Sequence, residues 1–282
     1  MLSRYESKFA ELKKDKCKAF IPFTILGYPD KERSLSIIEH MIKSGASALE
    51  LGIAFSDPVA DGPILQTAAF ETIASGFSVA DAFKLLVQVR AIDKNMPIGL
   101  LVYFNTILAY GVEKFFATAK QSGVDGVLIA DLPIESAAEV LPAAQAAGID
   151  LIFLISPVTP PDRLAKIISQ ASGFLYLISR LGVTGTDPRS GAKDFSLKTK
   201  INEIRHETKL PICAGFGISS PSDAQSMFDN GADGVNTGSQ VIKTLQTNNF
   251  ANALKDLDKY YADMLVTCNK RESINNKLTA TN

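Results

Sequence analysis

The chain has 282 residues, 46% hydrophobic and 21% charged, with 29 basic against 30 acidic side chains and a net charge of −1. That is the mix of an ordinary globular protein, long enough to bury a sizeable core without disulfide or metal staples. A nucleic-acid partner would normally leave a strongly basic footprint, which this balance lacks.

Taken in chain order, a charged N-terminal helix precedes a first apolar run, Ala19-Phe20-Ile21-Pro22. Ser44-Gly45-Ala46 then closes a helix-like stretch before Ala48-Leu49-Glu50-Leu51. An amphipathic stretch, Ala80 to Val89, leads to Ile98–Val102, and Glu113 to Gln121 leads through Ser122-Gly123-Val124-Asp125 to Val127-Leu128-Ile129-Ala130. Ala147-Gly148-Ile149-Asp150 introduces Leu151-Ile152-Phe153-Leu154. Phe174–Leu177, Pro211–Ala214 and Gly234-Val235 complete the set, the last after Asn230-Gly231-Ala232-Asp233. Each glycine suits the left-handed residue that ends a helix, and each apolar run suits a buried parallel strand. Eight such βα units predict an α/β fold, a (β/α)8 TIM barrel with an extra N-terminal helix. An open doubly wound sheet is the alternative, but Ile25-Leu26-Gly27-Tyr28 is not a dinucleotide fingerprint. One catalytic barrel domain is expected over 1–268, with a polar, frayed tail over 269–282.

Cys17, Cys213 and Cys268 are widely spaced and odd in number, which points to free thiols in a reducing compartment. Met1 to Lys18 is too charged for a signal peptide, and the longest apolar stretch, Ile98 to Phe104, is too short to span a bilayer. A cytoplasmic protein without a membrane partner is the expectation.

A barrel carries its active site at the C-terminal ends of its strands. No lysine stands at those ends to form a Schiff base, and no histidine stands there to ligate zinc. Carboxylate acid–base chemistry remains, with Glu50 inside an apolar strand and Asp61 in the loop that follows. Burial raises a carboxyl pKa, which suits a group that takes and gives protons near neutrality. An internal ion pair is the bland alternative for Glu50, and a helix cap is the bland alternative for Asp61. Asp131 reads as a cap on the helix that follows it. Gly215-Phe216-Gly217 and Gly238-Ser239 follow the last two strands, where barrels often hold phosphate on backbone N–H groups. Gly182-Val183-Thr184-Gly185 opens a segment, Leu181 to Asp194, that reads as a lid. Phe23, Leu101, Leu128 and Phe216 could hold a flat aromatic group or simply fill the barrel.

Leu49-Glu50-Leu51-Gly52-Ile53, Phe55-Ser56-Asp57-Pro58 and Ala60-Asp61-Gly62-Pro63 closely resemble the signature of the tryptophan synthase alpha chain family. The resemblance runs in order from Tyr5 to about Ile242. It implies a lyase that splits indole-3-glycerol phosphate into indole and glyceraldehyde 3-phosphate with no metal and no organic cofactor. It implies a beta-chain partner, in a complex of two alpha and two beta chains. By similarity Glu50 is the acid–base group and Asp61 stabilises charge at the indole nitrogen. Tyr176 lines the site, and Thr184 helps close the lid. Gly185, Gly215, Gly217, Gly238 and Ser239 surround the phosphate. Phe23, Leu101, Leu128 and Phe216 sandwich the indole. Ala54 stands where the family usually has proline. Two rival readings stay open: another phosphate-binding barrel enzyme, such as a sugar-phosphate isomerase, and a non-catalytic subunit that activates a partner.

Overall fold

A computed structural model describes residues 2–179, 196–246 and 249–269. Eight parallel strands close in chain order into a barrel. They are β1 (Ala19–Ile25), β2 (Leu49–Gly52), β3 (Ile98–Val102), β4 (Gly126–Ile129), β5 (Asp150–Ile155), β6 (Leu175–Ile178), β7 (Ile212–Gly215) and β8 (Gly234–Thr237). The helices are α1 (Arg4–Asp15), α2 (Lys31–Lys43), α3 (Pro63–Ala74), α4 (Val79–Ile92), α5 (Phe104–Tyr110) and α6 (Val112–Gln121). They continue with α7 (Leu141–Ala147), α8 (Pro161–Gln170), α9 (Leu197–Glu207), α10 (Pro221–Asp229), α11 (Ser239–Leu245) and α12 (Phe250–Cys268). The expected barrel is therefore observed, with the N-terminal helix added to it. β3 has the expected bounds, and the ends of the other strands differ from the sequence reading by up to three residues, because hydrogen bonding and not the apolar run sets where a strand ends.

Gly45, Gly123, Gly148 and Gly231 all have positive φ, which glycine tolerates where the chain turns from helix to strand. The outer helices bury one apolar stripe each; α4, for example, buries Phe83, Leu85, Leu86 and Val89. Each such side chain contributes roughly 1.5–3 kcal/mol by leaving water. Among the described residues no single helix is long and apolar enough to cross a membrane.

Helix α1 closes the N-terminal mouth of the barrel. A capping box between Ser3 and Glu6 starts it, and Tyr5 is 1% exposed with its ring edge-on to Phe174 at 5.4 Å. The plug fits because two strand residues have no side chain. A Cβ on Gly99 would lie 2.5 Å from the Tyr5 hydroxyl, and one on Gly126 would lie 2.9 Å from its ring.

The registers define what fills the interior above that plug. Strand by strand, the inward residues fall into layers of four, contributed by alternate strands. One layer holds Glu50, Leu128, Tyr176 and Asn236. The layer above it holds Phe23, Leu101, Leu154 and Gly215. The uppermost holds Gly52, Ala130, Ile178 and Gly238. Side-chain volume falls toward the top, so the barrel is packed below and open at the C-terminal ends of its strands.

Candidate active site

The layer that carries Glu50 forms the floor of this opening. Glu50 is 6% exposed, and burial pushes its carboxyl pKa up to about 8, with Asp61 adding repulsion and Asn236 acting in the opposite direction. The ion-pair alternative has a ready comparison in the same molecule. Asp125 is equally buried, but it pairs with Arg4 at 2.7 Å and Arg90 at 2.8 Å and accepts the Ile98 N–H at 2.9 Å. Among the described residues no cation pairs with Glu50. A buried carboxyl without a cation stays neutral at pH 7 and is poised to give up its proton.

Asp61 reaches the same opening from the loop between β2 and α3. Gly62 occupies the N-cap of α3, Pro63 starts the helix, and no side chain caps it. Asp61 is therefore not the cap that the sequence also allowed. Its carboxylate instead accepts the Tyr103 hydroxyl at 2.9 Å. Burial raises its pKa to about 6, and the Tyr103 hydrogen bond limits the rise. The same hydroxyl accepts the Ala60 N–H at 3.2 Å, and the Tyr103 ring stacks on Phe55 at 5.2 Å. Tyr103 thus fastens both flanks of the carboxylate loop. It stands at the end of β3 as a polar aromatic residue, which is the signal that could have singled it out.

The other expected residues fall around these two. Phe23 and Leu101 stand in the wall above Glu50, and Leu128 and Tyr176 share its layer. Gly215 is kept bare by Tyr176: a Cβ there would lie 1.9 Å from the phenol oxygen. Gly238 faces Phe23 at the mouth, where a Cβ would approach the ring to 3.1 Å. Phe216 adopts a left-handed φ of 68° and stands edge-on to Tyr176 at 5.9 Å. Its carbonyl accepts the Ser179 hydroxyl, and Ser179 N–H donates to Gly215 at 2.9 Å. Gly217 follows with φ 83°, so two successive left-handed residues turn the backbone after β7. Ser239 begins α11, whose first turn presents backbone N–H groups without intrahelical acceptors. Thr184, Gly185 and the expected lid lie outside the described residues.

Asp131 corrects one expectation. It does cap a helix, but α5, which follows β3: the carboxylate accepts the Phe104 N–H at 2.7 Å. Parallel neighbours β3 and β4 end side by side, so a residue after β4 reaches the helix after β3. Asn236, on the floor beside Glu50, is legible in the sequence only as part of the strand end Asn236-Thr237-Gly238-Ser239, where a polar run gives it no role of its own. Among the described residues no three His, Cys, Asp or Glu side chains converge to hold a metal.

The family model for the tryptophan synthase alpha chain matches residues 9–272.

The chain belongs to the tryptophan synthase alpha chain family.

The alpha chain of Shewanella oneidensis is 43% identical over 246 residues, 87% of each chain. The solved tryptophan synthase alpha subunit of Legionella pneumophila superposes with a TM-score of 0.84 at 31% identity, over 95% of this chain and 99% of that one. A structure of the Pyrococcus furiosus tryptophan synthase α2β2 complex contains a chain with a TM-score of 0.77 and 32% identity. That match covers 89% of this chain and 99% of that one. Alpha chains of this family are lyases that cleave indole-3-glycerol phosphate in tryptophan biosynthesis.

Proposed function

We propose that Glu50 and Asp61 carry out the family's cleavage in this chain, with Glu50 acting first as acid and then as base. The observation that carries this reading is a carboxyl buried on the barrel floor, with no cation paired to it among the described residues and with its pKa raised to about 8. At neutral pH Glu50 begins protonated. It gives its proton to the indole ring carbon that bears the glycerol phosphate side chain. Positive charge then develops at the indole nitrogen, where the Asp61 carboxylate stabilises it. With a pKa of about 6, Asp61 is mostly ionised at pH 7.

The Glu50 carboxylate next takes the proton from the hydroxyl on the adjoining side-chain carbon. The carbon–carbon bond breaks as that carbon becomes an aldehyde, and the bonding electrons return to the ring and quench its charge. Indole and glyceraldehyde 3-phosphate leave, and Glu50 is again protonated. One group serves both transfers because its pKa lies near the operating pH.

Phe23, Leu101, Leu128 and Phe216 would flank the indole, and Tyr176 would border the reacting carbon. The backbone at Gly215, Gly217, Gly238 and Ser239 would take the phosphate at the mouth, with Thr184 and Gly185 closing over it. Residues 1–268 would act as one catalytic barrel. A beta chain, as in the complex named for Pyrococcus furiosus, is the proposed partner and receiver of indole, in a two-alpha, two-beta assembly. Cys17, Cys213 and Cys268 are unpaired, which supports a cytoplasmic location.

The test is incubation of the purified chain with indole-3-glycerol phosphate while indole is followed. The native chain should release indole, and Glu50→Gln should lose roughly 10²–10⁴-fold in kcat. Near-native turnover by Glu50→Gln would overturn the assignment.

A further inference from the structure

Asn236 is 3% exposed on β8, in the same interior layer as Glu50. Among the described residues neither its amide nitrogen nor its amide oxygen has a hydrogen-bond partner. Such burial is costly, since an amide taken from water loses two donors and an acceptor. A valine or leucine would fill the same layer without that cost. The other members of the layer, Leu128 and Tyr176, are apolar or aromatic, so the amide is not part of a polar core network.

We propose that Asn236 is a positioning residue for the proton transfers of Glu50, its amide holding the carboxyl toward the open mouth in both protonation states. The inference rests on the reading of Glu50 as the acid–base group. An amide is suited to a group that alternates between acid and base, because it carries donor and acceptor together. Oδ1 accepts from the neutral acid, and Nδ2 donates to the carboxylate. An apolar neighbour could offer neither, and a shorter hydroxyl at this position would have to offer both from one atom that reaches less far. The amide shares the Glu50 layer and has no hydrogen-bond partner among the described residues, which leaves it free to serve either state.

The charges around Glu50 make this contribution matter. Asp61 faces it from the loop, Tyr5 from α1 below, Tyr176 from β6 and Cys213 from β7. None of these is cationic. Among the described groups acting on Glu50, Asn236 is the one that favours the charged form. The carboxylate that exists midway through turnover therefore depends on this amide.

Two variants of the intact chain test the proposal, Asn236→Leu and Asn236→Ser. The readouts are the pH dependence of kcat for indole release and the 13C titration of the Glu50 carboxyl in carboxyl-labelled protein, its signal assigned by its loss in Glu50→Gln. Asn236→Leu should move the Glu50 titration and the alkaline limb of kcat upward by about one pH unit. It should lower kcat at pH 7 roughly 10–100-fold, while KM changes by less than about threefold. Asn236→Ser retains a donor and should fall between Asn236→Leu and the native chain. If Asn236→Leu does not fold, the serine variant decides, since its titration must still lie above the native one. An unmoved carboxyl titration in the folded variants would overturn the proposal. Full activity in Glu50→Gln would instead overturn the acid–base reading, while the carboxyl titration would still report whether Asn236 and Glu50 are coupled.

Discussion

The Tyr103 hydroxyl donates to the Asp61 carboxylate at 2.9 Å while accepting the Ala60 N–H at 3.2 Å. One phenol at the end of β3 thereby fixes the loop that leaves β2. Burial and the adjacent Asp61 charge raise the Tyr103 pKa, so the phenol remains a donor throughout the working pH range.

Tyr103→Phe should therefore affect catalysis through Asp61. Losing the donor lets the Asp61 pKa climb above about 6, so a larger fraction is protonated at pH 7. The loop also loses two hydrogen bonds, although the stack on Phe55 survives. The expected outcome is a roughly tenfold loss of kcat at neutral pH, as for a supporting group. The acid limb of the rate profile should also move upward. A lower kcat with an unmoved acid limb would mean that Tyr103 acts only as a tether.

The two carboxyls also predict the native pH profile. Activity should fall below about pH 6 as Asp61 takes up a proton and above about pH 8 as Glu50 loses one. Stability has its own sign. The folded chain holds the Glu50 proton up to about pH 8, whereas an ordinary glutamate releases it near 4.5. Between those values the native state binds more protons than the unfolded one, so rising pH weakens folding across that window. Glu50→Gln removes this dependence. It should be more stable than the native chain at pH 8.5, and the gap should close by pH 5. Urea titrations at the two pH values test it, and a gap independent of pH would count against the burial argument.

Much of this architecture was legible in the amino-acid order, and the exceptions share a cause. Glycine after four of the helices, at Gly45, Gly123, Gly148 and Gly231, and the short apolar runs marked the βα repeat, because parallel strands buried on both faces need no polar alternation. Glu50 was legible because a charged residue inside an apolar strand is costly. Tyr103 was missed as the partner of Asp61 because 42 residues separate them, and only the side-by-side ends of β2 and β3 join them. Asp131 was matched to the wrong helix for the same reason. Asn236 was hidden by its polar neighbours, since inward and outward residues alternate along β8 and the run Asn-Thr-Gly-Ser does not say which is which.

Gly215 offers a steric test of the floor. Its missing Cβ would lie 1.9 Å from the Tyr176 hydroxyl, and Tyr176 is itself buried, so the ring cannot swing aside cheaply. Gly215→Ala should cost about 1–3 kcal/mol of stability by overpacking. It should also lower kcat/KM, because the ring must shift into the substrate space. Combining it with Tyr176→Leu should recover part of the stability, as expected for residues in contact. Additive losses in the double variant would show that the ring had already relaxed elsewhere. Gly238→Ala meets Phe23 only at 3.1 Å and should be milder in denaturation midpoint.

The carboxylate loop bears on the beta-chain partner. Its base is held by Tyr103 and Phe55, but its tip is open: Ser56 and Asp57 are exposed, and Val59 is 70% exposed. An exposed valine at the tip of the loop that carries Asp61 is suited to contact by another chain. A partner seated there would hold Asp61 in place, and a free chain that populates this arrangement only partly would show activity reduced by that fraction. The expected result is a slow lyase alone and one at least about tenfold faster with excess cognate beta chain. Val59→Lys should leave the rate of the free chain within about twofold, since the side chain faces solvent, while weakening the stimulation and the complex. Indole production with and without beta chain, alongside analytical ultracentrifugation, measures both effects. Equal stimulation of the native and Val59→Lys chains would place the contact elsewhere. An unchanged native rate with no complex in the centrifuge would mean that Asp61 is already fully positioned by Tyr103.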